Sequence, residues 1–450
     1  MHTAFVDLPV FGAAMTDDKK SWTSLASPGP PVLQGVKVVE LATVIAAPSA
    51  SAVLADFGAT VIKVERLGVG DTWRLDRANL TPDSAWGGGP HFANNNRGKR
   101  SVALDVKDPV HLEALKTLIR SADVFVTNVR SGALDRAGLG YPQLSKECPR
   151  LVYAILSAWG LDGPRVNDPG YDVGAFWAAS GMQDFTKQSD DTTPGNFPPG
   201  FGDHLTAMQL VAAIALALYH RLRTGAGQLV DTALLRSGIW GMAYPALNTA
   251  CAPGRRFVRE PRTEHYRPSF NCYRCSDGLW LQLLGLDWQR FLRPLCRALQ
   301  LPHAEANDLH IGPGWALPKA ELDACGGDER ERQRRTIAKF EAAFATRPSA
   351  YWEAALSKEG VWYQKVAALD EVLDEPQAQA ALAKVEWAPF PIVRCPFQLG
   401  CSTAHGPAGP PPKAGAHTAA ALREVGVSDA AIGKIVADQQ SAQRKLTSKL

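Results

Sequence analysis

After Pro31 the chain alternates short β-branched apolar runs with longer amphipathic or small-residue stretches. VKVVEL (36–41) has the unbroken apolar character of a strand covered on both faces. APSASAVLADFGA (47–59) reads as a helix of small residues ending at Gly58. VIKVER (61–66) is a second strand, which completes a βαβ unit. The rhythm continues with SVALDV (101–106) as strand, DPVHLEALKTLIRSA (108–122) as helix and DVFVTNV (123–129) as strand. SGALDRAGL (131–139) then reads as a short helix and RLVYAILSAWG (150–160) as another strand. This alternation predicts a doubly wound α/β sheet with a nucleotide-type ligand at its strand ends.

The texture changes beyond residue 200. Residues 205–245 are Ala/Leu-rich and read as helical, with RLRTGAGQLVDTAL as a turn and helical restart. A basic, Pro-rich stretch (251–270) and a Trp-rich one (277–295) follow, which predicts a second, smaller domain over 255–365. The expected division is a loosely ordered tail (1–31), a large domain (32–250), the small domain, and a return segment (366–450) that completes the large one. GPAGPPPKAGAHT (406–418) reads as a linker before a last helix at 419–440.

Composition narrows the function classes. Of 450 residues, 46% are hydrophobic and 21% charged, with a net charge of +3, an ordinary globular balance. Nothing marks the whole chain for nucleic acid or a membrane surface. No apolar stretch is expected to span a bilayer; 205–222 comes closest, but Gln209, His220 and Arg221 interrupt it. The first thirty residues lack the features of a secretion signal or transit peptide. Eight scattered cysteines suit a reducing compartment, and the expected location is cytoplasmic, with the mitochondrion as the other candidate. Cys272 and Cys275 form a CxxC without a second pair and read as strand side chains, so no metal is expected.

The usual phosphate cradles are missing. TVIAAP follows the first strand where a GxGxxG would stand, and GxxxxGK[ST] occurs nowhere. A nucleotide-like ligand would have its phosphates held by side chains on several loops. In PPGFGDHLT (198–206), Asp203 precedes a long apolar run. From this window alone it is either the cap of a helix or a reactive carboxylate.

Six ordered blocks carry a resemblance: 35–66, 96–109 (NRGKRSVALDVKDP), 122–141, 169–182 (PGYDVGAFWAASGM), 201–234 and 416–427. Together they resemble the family III CoA-transferases, which include formyl-CoA transferase, carnitine CoA-transferase and α-methylacyl-CoA racemase. The resemblance implies an α/β fold: a Rossmann-like large domain built from both chain ends, with an inserted smaller α+β domain. It also implies a homodimer of two interlocked rings, an exception to the rule against threading. The partners implied are an acyl-CoA and a small carboxylic acid, with coenzyme A as substrate rather than a tightly bound cofactor, and no nucleic acid or membrane.

The resemblance also assigns residues. Asp203 matches the catalytic Asp, and Tyr171 with Asp172 matches the Tyr-acidic pair of the transferases. Racemases of the family carry His where this chain has Tyr171, and losing that imidazole removes one of two bases. Val44, Ile45, Ala46, Arg66, Leu104, Lys107, Asn128 and Arg136 match positions that contact CoA. Gly202, His204 and Trp177 are expected at the substrate. Ile45 stands where formyl-CoA transferase has Gln, which argues against formyl and oxalyl substrates. FWAASGM followed by GDH resembles the branch acting on aromatic, branched or hydroxy acids. The glycine-rich shielding loop of formyl-CoA transferase has no counterpart in TEHYRPSFNCYRCSDG (263–278).

The implied chemistry is attack by Asp203 on the donor thioester, giving a mixed anhydride and then an aspartyl-CoA thioester. Asp203 is expected at the N-cap, where helix amides favour its ionised form, with Gly200 and Gly202 allowing close approach. The alternatives kept open are an acyl-CoA racemase, an intramolecular CoA isomerase, and a CoA-binding protein without turnover.

Overall fold

The computed structural model describes residues 29–75, 88–251, 254, 257, 259, 261–264, 267–286, 288–301, 327–381, 384–385, 391–399 and 409–448. Nearly all of the expected N-terminal tail, together with Cys325 and Cys401, lies outside these residues. Strands β1 (Lys37–Leu41), β2 (Thr60–Glu65), β3 (Lys99–Ala103), β4 (Val124–Thr127), β5 (Val152–Ser157) and β6 (Leu229–Ala233) form one sheet. Their order is β3-β2-β1-β4-β5-β6, a Rossmann-type order whose switch point lies between β1 and β4. Val38, Val39, Val124, Phe125 and Val126 are fully buried, as parallel strands covered on both faces require. The architecture is mixed α/β around a parallel sheet.

The chain divides into two compact units. The first takes residues 1–41, 48–125 and 392–450. Within it β1, β2 and β3 pair in parallel, Val38 opposite Val61 and Ile62 opposite Arg100. The C-terminal segment docks on β3: His417 N–H donates to Ser101 O at 2.9 Å, and Ala103 N–H donates to Thr418 Oγ1 at 3.0 Å. The expected last helix is two, Thr418–Glu424 and Asp429–Thr447, broken at Gly426, whose φ is +83°.

Strand β3 begins two residues earlier than the apolar pattern suggests, because its first residue, Lys99, is neutralised inside the fold. The Lys99 ammonium lies 2.7 Å from Glu40 Oε2 and 2.9 Å from Asn96 Oδ1. Lys63 reaches Glu40 at 2.7 Å and Asp71 at 2.8 Å. Burial, aided by neighbouring Lys63, pushes Lys99 down to about 7. Burial alone would raise Glu40, but the two ammonium groups outweigh it and hold its carboxyl low.

The second unit takes residues 42–47 and 126–391. β5 and β6 pair in parallel, Tyr153 opposite Leu229. β6 was expected as helix; Gln228 O closes onto Tyr153 N at 2.9 Å, and pairing overrides the weak local pattern. Helix α1 (Phe201–Thr224) packs on β5 and β6 with Ala207, Leu210, Val211, Ile214 and Leu218 buried. By length and composition α1 is long and apolar enough to cross a membrane, contrary to the sequence expectation. Of the interrupting residues, His220 and Arg221 lie near its end, and Gln209 alone does not prevent an 18-residue window from being apolar enough. Helices α2 (Leu234–Gly241) and α3 (Ala243–Cys251) follow.

Beyond them, β7 (Cys272–Arg274), β8 (Trp280–Leu283) and β9 (Tyr363–Lys365) form an antiparallel sheet. It shares a core with helices α4 (Trp288–Ala298), α5 (Gly327–Phe344) and α6 (Ser349–Lys358). Tyr273, Leu281, Leu295, Phe340, Phe344 and Leu356 are fully buried in that core. Cys272 and Cys275 are free, the second buried.

Candidate active site

The second unit contains both loops that flank the switch point, and one side chain ties them together. Asn128, just past β4, accepts from Thr43 N at 3.1 Å and donates to Thr43 O at 2.8 Å. Both polar atoms of its amide are thus committed to the loop after β1. The next residue, Val44, has φ +68°, a left-handed conformation that β-branched residues rarely adopt. Ile45 turns inward, and its Cδ1 lies 3.1 Å from where a Cβ on Gly200 would stand. Ala46 is buried too.

Gly200 is the N-cap of α1, with φ +88°, so Asp203 lies at the third helical position and not at the cap. Three contacts fix this entrance. Asp172, only 4% exposed, accepts the Gly200 N–H at 2.9 Å. Ile45 packs on Gly200. Gly202 lies flat on the Phe176 ring, where a Cβ would come within 2.4 Å. The two glycines therefore serve the helix entrance itself. Thr206 donates back to Gly202 O at 2.8 Å.

Asp203 is half-buried, and among the described residues its carboxyl has no hydrogen-bond partner. Burial pushes it up from 3.8 to about 7, and the nearby Asp172 carboxyl adds to the rise. A helix N-terminus offers a carboxylate about 0.3–1 kcal/mol. The rise from 3.8 to about 7 opposes ionisation by roughly 4 kcal/mol. Desolvation wins, so the expectation of a readily ionised cap gives way to a carboxyl that titrates near neutrality.

Tyr171 and Asp172 lead into a π-helix, Val173–Ala178, marked by Ala179 N–H donating to Gly174 O at 3.0 Å. Such one-turn π segments recur at functional sites. Tyr171 is 70% exposed while Asp172 turns in. The π turn buries Ala175, Phe176 and Trp177 in succession. Trp177 stacks on Phe197 and lies 5.0 Å, ring centre to ring centre, from Phe201. His204 is exposed in the first turn of α1.

The structure therefore brings Ile45, Asp172, Gly202 and Asp203 together, with Trp177 reached through Phe176 and Phe201. Arg136 is exposed at the end of a short helix, Ser131–Arg136. In the first unit, Arg66 and Lys107 are exposed just past β2 and β3, while Leu104 is buried. Thr43, Phe176, Phe197 and Phe201 were missed as site residues, although NFPPGFGDH (196–204) places two phenylalanines and two glycines around Asp203 in plain view.

One metal-like cluster exists among the described residues: Asp108, His111 and Asp438, in the first unit. Lys434 Nζ lies 2.6 Å from Asp108 and 2.8 Å from Asp438, so an ammonium already pairs with both carboxylates.

Comparison with known proteins gives a consistent result. The family model described as CoA-transferase family III matches residues 33–418. The chain is 30% identical over 350 residues to (R)-2-hydroxy-4-methylpentanoate CoA-transferase of Clostridioides difficile, covering 78% of this chain and 83% of that protein. It is 29% identical over 411 residues to mouse (Mus musculus) succinyl-CoA:glutarate CoA-transferase, covering 87% and 86%. The fold matches the crystal structure of a CaiB/BaiF family protein from Brucella suis with a TM-score of 0.72 and 28% identity, over 88% of this chain and all of that one.

Proposed function

The chain belongs to CoA-transferase family III, and from that premise we propose that Asp203 is the residue through which CoA is exchanged. The enzyme transfers CoA between an acyl-CoA and a carboxylic acid. In the proposed sequence, ionised Asp203 attacks the donor thioester carbonyl, forming a mixed anhydride and releasing CoA thiolate. The thiolate attacks the aspartyl carbonyl, giving aspartyl-CoA thioester and the free donor acid. The acceptor carboxylate attacks that thioester, freeing the thiolate and forming a second anhydride. The thiolate then attacks the acceptor acyl carbonyl, which yields the new acyl-CoA and restores Asp203.

One observation carries this reading: a carboxyl at a helix entrance, without a partner among the described residues, pushed up to about 7. A poorly solvated carboxylate is a stronger nucleophile than one in water, and it lies beside the unbonded first-turn amides of α1 that could hold the oxyanion of each intermediate. Asp172 holds the Gly200 end of that turn. Arg66, Lys107 and Arg136 are the cations proposed for CoA phosphates. Asp203→Ala is expected to abolish transfer while CoA still binds; retained transfer would overturn the assignment.

We also propose a homodimer. Leu216, Tyr219 and Leu222 on α1 are exposed, as are Trp240 on α2 and Tyr244 and Leu247 on α3. A second copy of the chain would bury this apolar surface. Sedimentation equilibrium at micromolar concentration should return twice the chain mass; a monomer would contradict it.

A further inference from the structure

Trp177 is 5% exposed, and its indole Nε1 is buried with no acceptor among the described residues. A buried donor left without an acceptor is costly, and a ligand that supplies one recovers that cost. One face of the indole is covered by Phe197, with ring centroids 3.5 Å apart and planes 7° from parallel. Aromatic pairs prefer offset or edge-on arrangements over such a face-to-face sandwich. Phe197 sits mid-way along a short strap with no helix or strand, tied at both ends. Gly195 N–H donates to Thr186 Oγ1 at 2.9 Å, and Gly200 N–H donates to Asp172 at 2.9 Å. Asn196, Phe197, Pro198 and Pro199 lie between those ties in neither helix nor strand. Phe201, beside the same indole at 5.0 Å, is two residues from Asp203.

We propose that Phe197 is an internal plug in the acyl subsite, and that an aromatic acyl group displaces it to stack on Trp177. An oxygen on the acyl chain, such as a 2-hydroxyl, then accepts the indole N–H. The position of Trp177 and Phe201 in one aromatic cluster at the entrance of the Asp203 helix gives the acyl group a flat apolar wall. The sandwich that Phe197 makes in its place is a geometry that substrate can improve upon. The proposal rests on Asp203 marking the reacting end of the acyl group, and its test is read in binding as well as turnover.

Three probes separate the components: butanoyl-CoA, 3-phenylpropanoyl-CoA and 2-hydroxy-3-phenylpropanoyl-CoA. Phe197→Ala should lower KM for both aromatic thioesters about five-fold relative to its effect on butanoyl-CoA, the equivalent of one displaced ring contact. Phe197→Leu, which keeps an apolar side chain but no flat ring, should act in the same direction. Trp177→Phe keeps a ring but lacks the donor, so it should raise KM for the hydroxylated thioester more than for the other two. Calorimetric binding of 3-phenylpropanoate to an Asp203→Asn background should tighten on adding Phe197→Ala. Equal effects of Phe197→Ala on all three thioesters, or no tightening in the calorimeter, overturn the plug. Transfer persisting in Asp203→Asn would instead remove the catalytic assignment and leave the binding result standing.

Discussion

Asp172 and Asp203 are two carboxyls set against one helix turn with different tasks. Asp172 is buried and spends an oxygen on the Gly200 N–H at 2.9 Å. Asp203 is left without a partner among the described residues and is pushed up to about 7, first by burial and then by Asp172. In the proposed mechanism the pair separates holding the turn from reacting at it.

Asp172→Asn keeps an oxygen for Gly200 N–H and removes the charge. Asp203 should then ionise at lower pH, because one of the two causes of its rise is gone. The acid limb of kcat/KM against pH should move down by a measurable fraction of a unit. An unmoved limb would show that Asp172 does not act on the reacting group.

Activity and stability should respond to pH in opposite directions. The proposed mechanism requires ionised Asp203, so kcat/KM should rise through about 7 and level off above it. Stability runs the other way: the folded carboxyl keeps its proton up to about 7, while the unfolded one loses it near 3.8. The folded state therefore loses stability as pH climbs between those values. Asp203→Asn removes the loss, so it should be more stable than the parent at pH 8, by roughly 1–4 kcal/mol, and show a smaller gain at pH 5.5. Urea titrations at the two pH values measure this; an equal gain at both contradicts the raised titration.

The entrance of α1 should tolerate no Cβ. Gly202→Ala drives a methyl to within 2.4 Å of the Phe176 ring and should destabilise by about 1–3 kcal/mol. Gly200→Ala meets Ile45 at 3.1 Å with φ at +88° and should cost about 1–2 kcal/mol. Thermal melts of the two variants decide this, and unchanged melting would mean the entrance is looser than the geometry implies.

Asn128 is expected to act through Thr43. Its two hydrogen bonds hold the loop in which Val44 adopts φ +68°. Asn128→Ala should raise KM for acyl-CoA several-fold and lower stability by about 1–2 kcal/mol, with little change in kcat. A fall in kcat alone would place Asn128 at the chemistry instead.

Much of the α/β sheet was legible, because fully buried parallel strands leave unbroken apolar runs such as VKVVEL and DVFVTNV. Legibility failed where a charge or a contact replaced the pattern. Lys99 lies outside the apolar run that marked this strand, yet it is a strand residue clamped by Glu40. LVDTA is too short and mixed to signal β6, whose existence depends on Tyr153 and its neighbours across the ladder. Asp203 stood out, but its place in the helix depends on Gly200 going left-handed, which the Asp-x-x-Thr spacing hides. The π turn at Val173–Ala178 and the stacking of Phe197 on Trp177 arise from packing and leave no periodic trace.

The central claim is that Asp203 becomes covalently acylated during transfer. Incubation with acyl-CoA, trapping with hydroxylamine or borohydride, and peptide mass analysis test it directly. The account predicts a mass change on the peptide carrying Asp203, as a hydroxamate after hydroxylamine or an alcohol after borohydride, dependent on acyl-CoA and absent in Asp203→Asn. Transfer that proceeds with that peptide unmodified, under conditions where the trap outpaces turnover, would contradict it.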